Sequence, residues 1–296
     1  MNFKLPEVLG RYTFDADLSK ITWFQVGGKA EVLFKPQDVD DLTIFLKGLD
    51  NEIPIFILGV GSNLLVRDGG IEGVVIRLGK GFNDIFLDGE EMEIGSAVLD
   101  RNIAEYASNE GISGLEFLAS IPGTLGGAIK MNAGCYEREI KDVLLWADVL
   151  SRDGVIERKS NQDLNFSYRH SNLKNDEIII KARLQGQKGC QDDIKKSMQE
   201  MLKKREETQP VKSRTGGSTF ANPVNDQKAW ELIDAVGGRG LSLGGAQFSN
   251  LHCNFLINTG NATAKDLETL GETVRTKVFE KFNVHLKWEI CRIGKS

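Results

Sequence analysis

Leu118-Ala119-Ser120-Ile121-Pro122-Gly123-Thr124-Leu125-Gly126-Gly127-Ala128-Ile129-Lys130-Met131-Asn132-Ala133-Gly134 is the stretch around which the chain is organised. It carries four glycines, one proline and no acidic residue in 17 positions. Glycine lets a backbone reach φ > 0 and lets a ligand approach where a Cβ would block it. Pro122 fixes its own φ and biases Ile121 toward an extended conformation. After Gly126-Gly127, the residues Ala128, Ile129 and Met131 suit a short helix. Backbone N–H groups at such a junction point outward and suit an anion such as a phosphate. A plain glycine-rich surface loop is the competing reading.

A second stretch favours the anion. Phe56-Ile57-Leu58-Gly59-Val60-Gly61-Ser62-Asn63-Leu64-Leu65-Val66 is an apolar strand that runs into bare N–H groups and two small polar side chains. It is not the dinucleotide fingerprint, because Leu64 stands where the third glycine belongs, and no Gly-Lys-Ser/Thr follows to make a P-loop. Two such loops in one half of a chain point to a ligand with more than one phosphate.

The totals exclude several classes. The chain has 296 residues, 41% hydrophobic and 27% charged, as in ordinary globular proteins. Its net charge of −5 leaves no general basic footprint, so nucleic acid is not an expected partner. No run of about 18 apolar residues occurs, so no membrane span is expected. The start, Met1-Asn2-Phe3-Lys4-Leu5-Pro6, lacks the apolar core of a secretory signal. Cys135, Cys190, Cys253 and Cys291 form no C-x-x-C pair, which argues against zinc and a disulfide framework and fits the cytoplasm. They read as small buried apolar filler. His170, His252 and His285 share no ligand spacing, so no metal is expected.

Hydrophobic periodicity divides the chain into three parts, 1–79, 80–207 and 208–296. In the first, a strand at 30–34, an amphipathic helix at 37–49 and strands at 55–58 and 74–77 make a βαβ-like unit. Its glycine loop lies at a strand's C-terminal end, the usual ligand position in α/β sheets. The second has strands at 92–95, 143–151, 155–158 and 178–184, a helix near 98–110, and a hairpin turn at Arg152-Asp153-Gly154. A charged helix at 192–207 leads out of it. The third has a helix at 227–236, a strand at 255–258, a long helix capped by Thr263 and a last strand at 285–293.

Three places could carry chemistry. Arg169, in Tyr168-Arg169-His170-Ser171, can grip a carboxylate with two parallel hydrogen bonds. Ser218 follows Gly216-Gly217, where the backbone can bend sharply and turn the hydroxyl into a pocket. Glu289, in Lys287-Trp288-Glu289-Ile290-Cys291, shares a strand face with Lys287 and Cys291 if the strand alternates. Each is also compatible with an ordinary surface residue. His252 is the one histidine beside a glycine-rich turn.

Together these residues resemble the flavin-dependent UDP-N-acetylenolpyruvoylglucosamine reductase family of bacterial peptidoglycan synthesis. The resemblance covers roughly residues 20–294. Seven markers stand in the family's order: Thr22-Trp23-Phe24-Gln25-Val26-Gly27-Gly28, Gly59-Val60-Gly61-Ser62-Asn63-Leu64-Leu65-Val66, Ile121-Pro122-Gly123-Thr124-Leu125-Gly126-Gly127-Ala128, Met131-Asn132-Ala133-Gly134, Tyr168-Arg169-x-Ser171, Gly217-Ser218-Thr219-Phe220-x-Asn222-Pro223 and Glu289. The resemblance implies an α+β chain with a two-part FAD-binding domain of the vanillyl-alcohol-oxidase (PCMH) type and a C-terminal α+β substrate domain. It places the FAD diphosphate between Gly59, Val60, Gly61, Ser62, Asn63 and Leu64 on one side and Ser120, Ile121, Pro122, Gly123, Thr124, Gly126 and Gly127 on the other. Asn132, Ala133, Gly134 and Arg214 are further cofactor candidates.

The implied reaction has NADPH, as co-substrate, reduce FAD. A UDP-sugar, UDP-N-acetylglucosamine enolpyruvate, then takes the hydride at C3 and becomes UDP-N-acetylmuramate. Arg169 would stabilise the enolate-like charge, Glu289 would orient the carboxylate region or share its proton, and Ser218 would protonate C2. Tyr168, Asn222 and His252 are the substrate-side candidates. The absence of an inserted tyrosine loop after Ser249 matches the shorter class of the family. An FAD-dependent alcohol or sugar oxidase on the same scaffold is the alternative. A colourless nucleotide-binding module is the alternative outside enzymes.

Overall fold

The computed structural model describes residues 3–223 and 227–296; Met1 and Asn2, part of the N-terminal stretch read above, lie outside the described residues. The chain folds as two compact units. The first holds Met1–Phe14, Val32–Gly59 and Gly73–Lys204, and the second holds Asp15–Glu31, Val60–Glu72 and Arg205–Ser296. The last passage from the first unit to the second lies at Lys204/Arg205. The segments 15–31 and 60–72, however, group with the C-terminal part rather than with their sequence neighbours.

In the first unit, the helix Val39–Gly48 begins at Asp38, whose carboxylate accepts the Asp41 N–H and satisfies an otherwise orphaned donor. Its apolar face, Leu42, Phe45 and Leu46, is fully buried, and Phe45 packs on Phe34 with ring centroids 4.3 Å apart. The strand Ile55–Ile57 pairs in parallel with Val74–Ile76 and delivers the chain to Gly59. A five-stranded sheet follows in the order Ile156–Ser160, Leu144–Leu150, Ile178–Gln185, Glu91–Gly95, Ile85–Asp88, every neighbour antiparallel. Against it pack the helices Asp100–Asn109 and Leu125–Lys130 through Ile103, Ala107, Leu125 and Ile129, around Met92, Ile94 and Leu184. The sequence reading lacks the edge strand Ile85–Asp88, a four-residue element with two exposed positions.

The second unit is built on the antiparallel sheet Arg214–Ser218, Phe255–Asn258, Ala246–Phe248, Ser242–Leu243. Helix Ala264–Phe282 opens with the expected Thr263 cap, closed into a capping box by Asp266, and buries Leu267, Leu270, Val274 and Val278. The last strand is shorter than expected. Only Cys291–Ile293 is a strand, in parallel with Leu64–Val66, and Trp288 makes an isolated bridge to Phe220. Leu286 and Ile290 are buried in the core as alternation requires, but the chain changes partner between Trp288 and Cys291, so no single ladder spans 285–293. The cysteines also divide: Cys253 is buried, Cys135 half-buried, and Cys190 and Cys291 exposed, so only Cys253 is the expected core filler.

One contact fixes the approach to Glu289. A Cβ on Gly271 would overlap the Trp288 indole. Trp288 is held there by its Nε1–H donating to Glu272 (2.7 Å) and by Arg292 stacked 4.4 Å over its ring. Arg292 in turn bridges Glu268 and Glu272, and Glu268 also receives Arg67 through two hydrogen bonds. Gly271→Ala gains about 1 kcal/mol of helix propensity, yet overpacking costs about 1–3 kcal/mol, so the net change is expected to destabilise. Urea unfolding monitored by far-UV circular dichroism checks this, and a variant as stable as wild type contradicts the tight packing.

Candidate active site

The central glycine loop is laid along the segment that starts helix Asp100–Asn109. Asp100 N–H donates to Gly123 C=O (3.1 Å), Leu125 N–H to Val98 C=O (3.0 Å) and Gly126 N–H to Ser96 C=O (2.9 Å). Backbone lies on backbone here, and a Cβ on Gly123 would stand 2.5 Å from the Asp100 carboxylate. The second loop reaches the same corner, since a Cβ on Gly59 would stand 2.8 Å from Thr124 Oγ1. The two stretches singled out by composition therefore meet. Among the described residues, the N–H groups of Gly123, Thr124, Gly127 and Gly59 donate to no protein acceptor, and Gly59 and Gly127 are exposed. Ser120 is different: its hydroxyl is buried and points to Phe117 C=O (3.0 Å) and Cys135 Sγ (2.9 Å). Leu64 and Ala133 are buried, so only their main chain could serve a ligand.

Arg169 sits in a tight turn closed by Ser167 and His170, which exchange main-chain hydrogen bonds of 3.1 and 3.2 Å. Its φ of +54° is in the left-handed region, an unfavourable place for a long side chain. The guanidinium donates to Gly134 C=O (2.8 Å) and Asn132 C=O (3.4 Å), lies 3.5 Å from Glu139 and stacks 4.8 Å over Tyr168. Asn132 is the hub of this arrangement. Fully buried at φ +46°, it donates to Ser167 C=O (3.0 Å) and Glu139 (3.1 Å) and accepts the Lys141 N–H (3.0 Å). Its amide thus serves the Arg169 turn. The structure brings the 132–134 segment and Tyr168-Arg169 together. Sequence reasoning missed Glu139, one of three acidic residues in the charged stretch Glu137–Asp142, with no pattern to mark it out.

In the second unit, Gly217 adopts φ +83° and the pairing with Phe255–Asn258 slips between Thr215 and Ser218. The bend expected at Gly216–Ser218 is thus a β-bulge, a device that re-aims a side chain. Ser218 is half-buried, and among the described residues its hydroxyl has no hydrogen-bond partner. The next two residues are clamped by Asn254: Thr219 N–H donates to its C=O (2.7 Å), Phe220 N–H to its Oδ1 (3.0 Å), and its Nδ2 to Phe220 C=O (2.8 Å). Glu289 lies alongside, with its N–H donating to Thr219 C=O (2.9 Å). Asn63 joins from the second glycine loop, donating Nδ2 to Glu289 C=O (3.1 Å) and accepting the Cys291 N–H (3.0 Å). Gly61, at φ +67°, is pinned through its C=O to the Trp23 N–H (3.1 Å). Val60 and Ser62 lie half-buried on the same turn.

The remaining candidates are more dispersed. Arg214 is exposed, with a 3.5 Å contact to Gly260 C=O. Asn222 is exposed and accepts the Ala229 N–H (3.0 Å), which fixes the start of helix Ala229–Ala235. His252 accepts the Asn254 N–H at Nδ1 (3.3 Å) and meets Phe255 edge-on. Burial, aided by the Arg239 charge, lowers its pKa, so it is neutral at pH 7 with the proton on Nε2. Tyr168 and Arg169 belong to the first unit; Arg214, Ser218, Asn222, His252 and Glu289 belong to the second.

Two family models match the chain. One, described as an FAD binding domain, covers residues 30–160, and the other, described as the UDP-N-acetylenolpyruvoylglucosamine reductase C-terminal domain, covers 209–293. A UDP-N-acetylenolpyruvoylglucosamine reductase of Acidiphilium cryptum is 54% identical over 98% of this chain and 94% of the relative. One of Parvibaculum lavamentivorans is 52% identical over the same shares. The crystal structure of the Thermus caldophilus reductase is 34% identical and superposes with a TM-score of 0.84 over 97% of this chain and 99% of that one. No described helix is long and apolar enough to cross a membrane, and no described group of three or more His, Cys, Asp or Glu side chains could hold a metal ion.

Removing the hub is the sharpest test of the Arg169 turn. Asn132→Ala leaves the Ser167 carbonyl with His170 N–H alone and takes the acceptor from the Lys141 N–H, and is expected to lower stability by about 1–3 kcal/mol. Faster amide exchange at Ser167 and His170, seen by hydrogen–deuterium exchange, should accompany it. Unchanged exchange there would show that the turn holds without Asn132.

Proposed function

Since the chain belongs to the UDP-N-acetylenolpyruvoylglucosamine reductase family, we propose that it reduces UDP-N-acetylglucosamine enolpyruvate to UDP-N-acetylmuramate, with FAD as bound cofactor and NADPH as co-substrate. The observation that carries this reading is the alignment of reductases over 98% of the chain, which takes in every marker motif. The reaction supplies a precursor of peptidoglycan. The cytoplasm is the proposed compartment, supported by four free cysteines. The substrate is a small UDP-sugar, with neither nucleic acid nor membrane as partner.

The residues fit a dinucleotide diphosphate. The unengaged N–H groups at Gly59, Gly123, Thr124 and Gly127 are anion donors. Glycines stand where a Cβ would fill the corner, and no ionisable residue occurs from Phe117 to Ile129. Bound FAD would supply the two-electron step, taking a hydride from NADPH and giving it to C3 of the enolpyruvyl group.

The chain's own residues answer the charge that hydride addition creates on C2 and the carboxylate of the substrate. Arg169 is the proposed grip on that carboxylate, its planar fork matched to two oxygens. The main-chain carbonyls of Asn132 and Gly134 hold the guanidinium in place beforehand. Ser218 is the proposed proton donor to C2. A hydroxyl is a weak acid, but an enolate carbon is a strong base, so positioning on a rigid bulge suffices. Glu289, tied to Thr219 by its N–H, is proposed to orient the carboxylate region or share its proton. Tyr168, Asn222 and His252 are proposed on the substrate side; His252 offers its Nε2–H and Asn222 its Nδ2. Arg214 is proposed to contact the flavin.

Purified protein should be yellow, absorb near about 450 nm and bleach with NADPH; a colourless protein rejects the cofactor assignment. Ser218→Ala should keep the NADPH half-reaction and lose the UDP-sugar half-reaction by about 10²- to 10⁴-fold. Stopped-flow absorbance of each half separately decides this. Equal loss in both halves rejects the proton-donor role, and rapid reoxidation by O₂ in place of the UDP-sugar favours an oxidase.

A further inference from the structure

Asp100 heads the ten-residue helix Asp100–Asn109 with no exposure to solvent. Among the described residues, neither carboxyl oxygen has a hydrogen-bond partner. One oxygen lies against Gly123, 2.5 Å from where a Cβ would stand, and the Asp100 N–H holds the Gly123 carbonyl (3.1 Å). Ser96 Oγ, on the same segment and beside Gly126, is likewise buried without a partner. An acidic group is thus buried directly beneath the corner proposed to receive a diphosphate. We infer that Asp100 is a positioning residue for that corner, and that its carboxyl must carry its proton for the Gly123–Gly127 backbone to hold the diphosphate.

The argument is electrostatic. A partnerless carboxylate in an apolar interior costs several kcal/mol, whereas the neutral acid costs far less. The helix N-terminus favours the ionised form, but only by a fraction of that. Burial dominates and pushes the Asp100 pKa well above the usual carboxylate range. No charged side chain competes: burial is the sole resolved cause, the neighbouring Arg101 points outward in a pair with Glu105, and the loop from Phe117 to Ile129 contains no ionisable residue. A diphosphate bound to the Gly123–Gly127 backbone would add its charge on the other side of Gly123. Two like charges across one backbone layer repel, so the bound anion favours the protonated acid, and by linkage ionising the acid weakens anion binding equally. Asp100 does not touch the ligand, being fully buried, and acts through Gly123.

This rests on the FAD assignment, and the experiment separates the two. The dissociation constant of FAD from the apoprotein is measured by flavin fluorescence from about pH 6.5 to about pH 9.5 for wild type, Asp100→Asn and Asp100→Ser, the serine variant standing in should the asparagine fail to fold. Wild-type affinity is expected to fall by about tenfold or more across that range, while the uncharged variants lose little. A wild-type constant that does not change with pH, or a parallel loss in the variants, overturns the role of Asp100 while leaving the cofactor reading intact. A wild-type protein that takes up no FAD at any pH overturns the cofactor reading and this inference with it.

Discussion

The antiparallel main-chain contact between Ser96–Asp100 and Gly123–Gly126 is the constraint on which the first unit's functional surface depends. Three hydrogen bonds hold two backbone segments too close for side chains. That closeness leaves the remaining N–H groups of the loop with nothing inside the protein to donate to. The diphosphate site proposed here would draw on no basic side chain from Phe117 to Ile129. Its attraction comes from oriented peptide dipoles, which need no reorganisation when the ligand arrives.

The second unit solves a different problem with similar means. The role proposed for Ser218, protonation at carbon, requires a hydroxyl fixed in direction rather than a strong acid. Gly217 provides the turn, and Asn254 locks the residues that follow through its side chain and its carbonyl. Asn63 and Thr219 then bind the main chain on either side of the Glu289 peptide. Glu289 is therefore positioned by backbone partners on both its N–H and its C=O, independently of any regular strand.

Much of this was legible in the residues. The glycine loops, the Gly-Gly-Ser bend, the Thr263 cap and the apolar stripe of the long helix carry local signals, because φ > 0 and helical periodicity are imposed within a few residues. What was hidden is non-local. The grouping of 15–31 and 60–72 with the C-terminal part follows from pairings more than 200 residues apart, such as Arg67 with Glu268 and Asn63 with Glu289, which no window can register. The overlong terminal strand has the same cause, since alternation reports which side is buried but not which partner is paired. Asn132 entered as a cofactor candidate through the family resemblance, and its local sequence carries no mark of its partners. Only the fold shows its side chain turned inward to Ser167 and Glu139.

The fit of the Trp288 indole against the bare Cα of Gly271 has an evolutionary corollary. The two positions share one fixed volume on the wall that leads to Glu289. A lineage that enlarges residue 271 must shrink residue 288 in compensation, so in an alignment of homologues the pair is expected to drift together and not separately. Each position alone would look free to vary, although the quantity held constant is their sum.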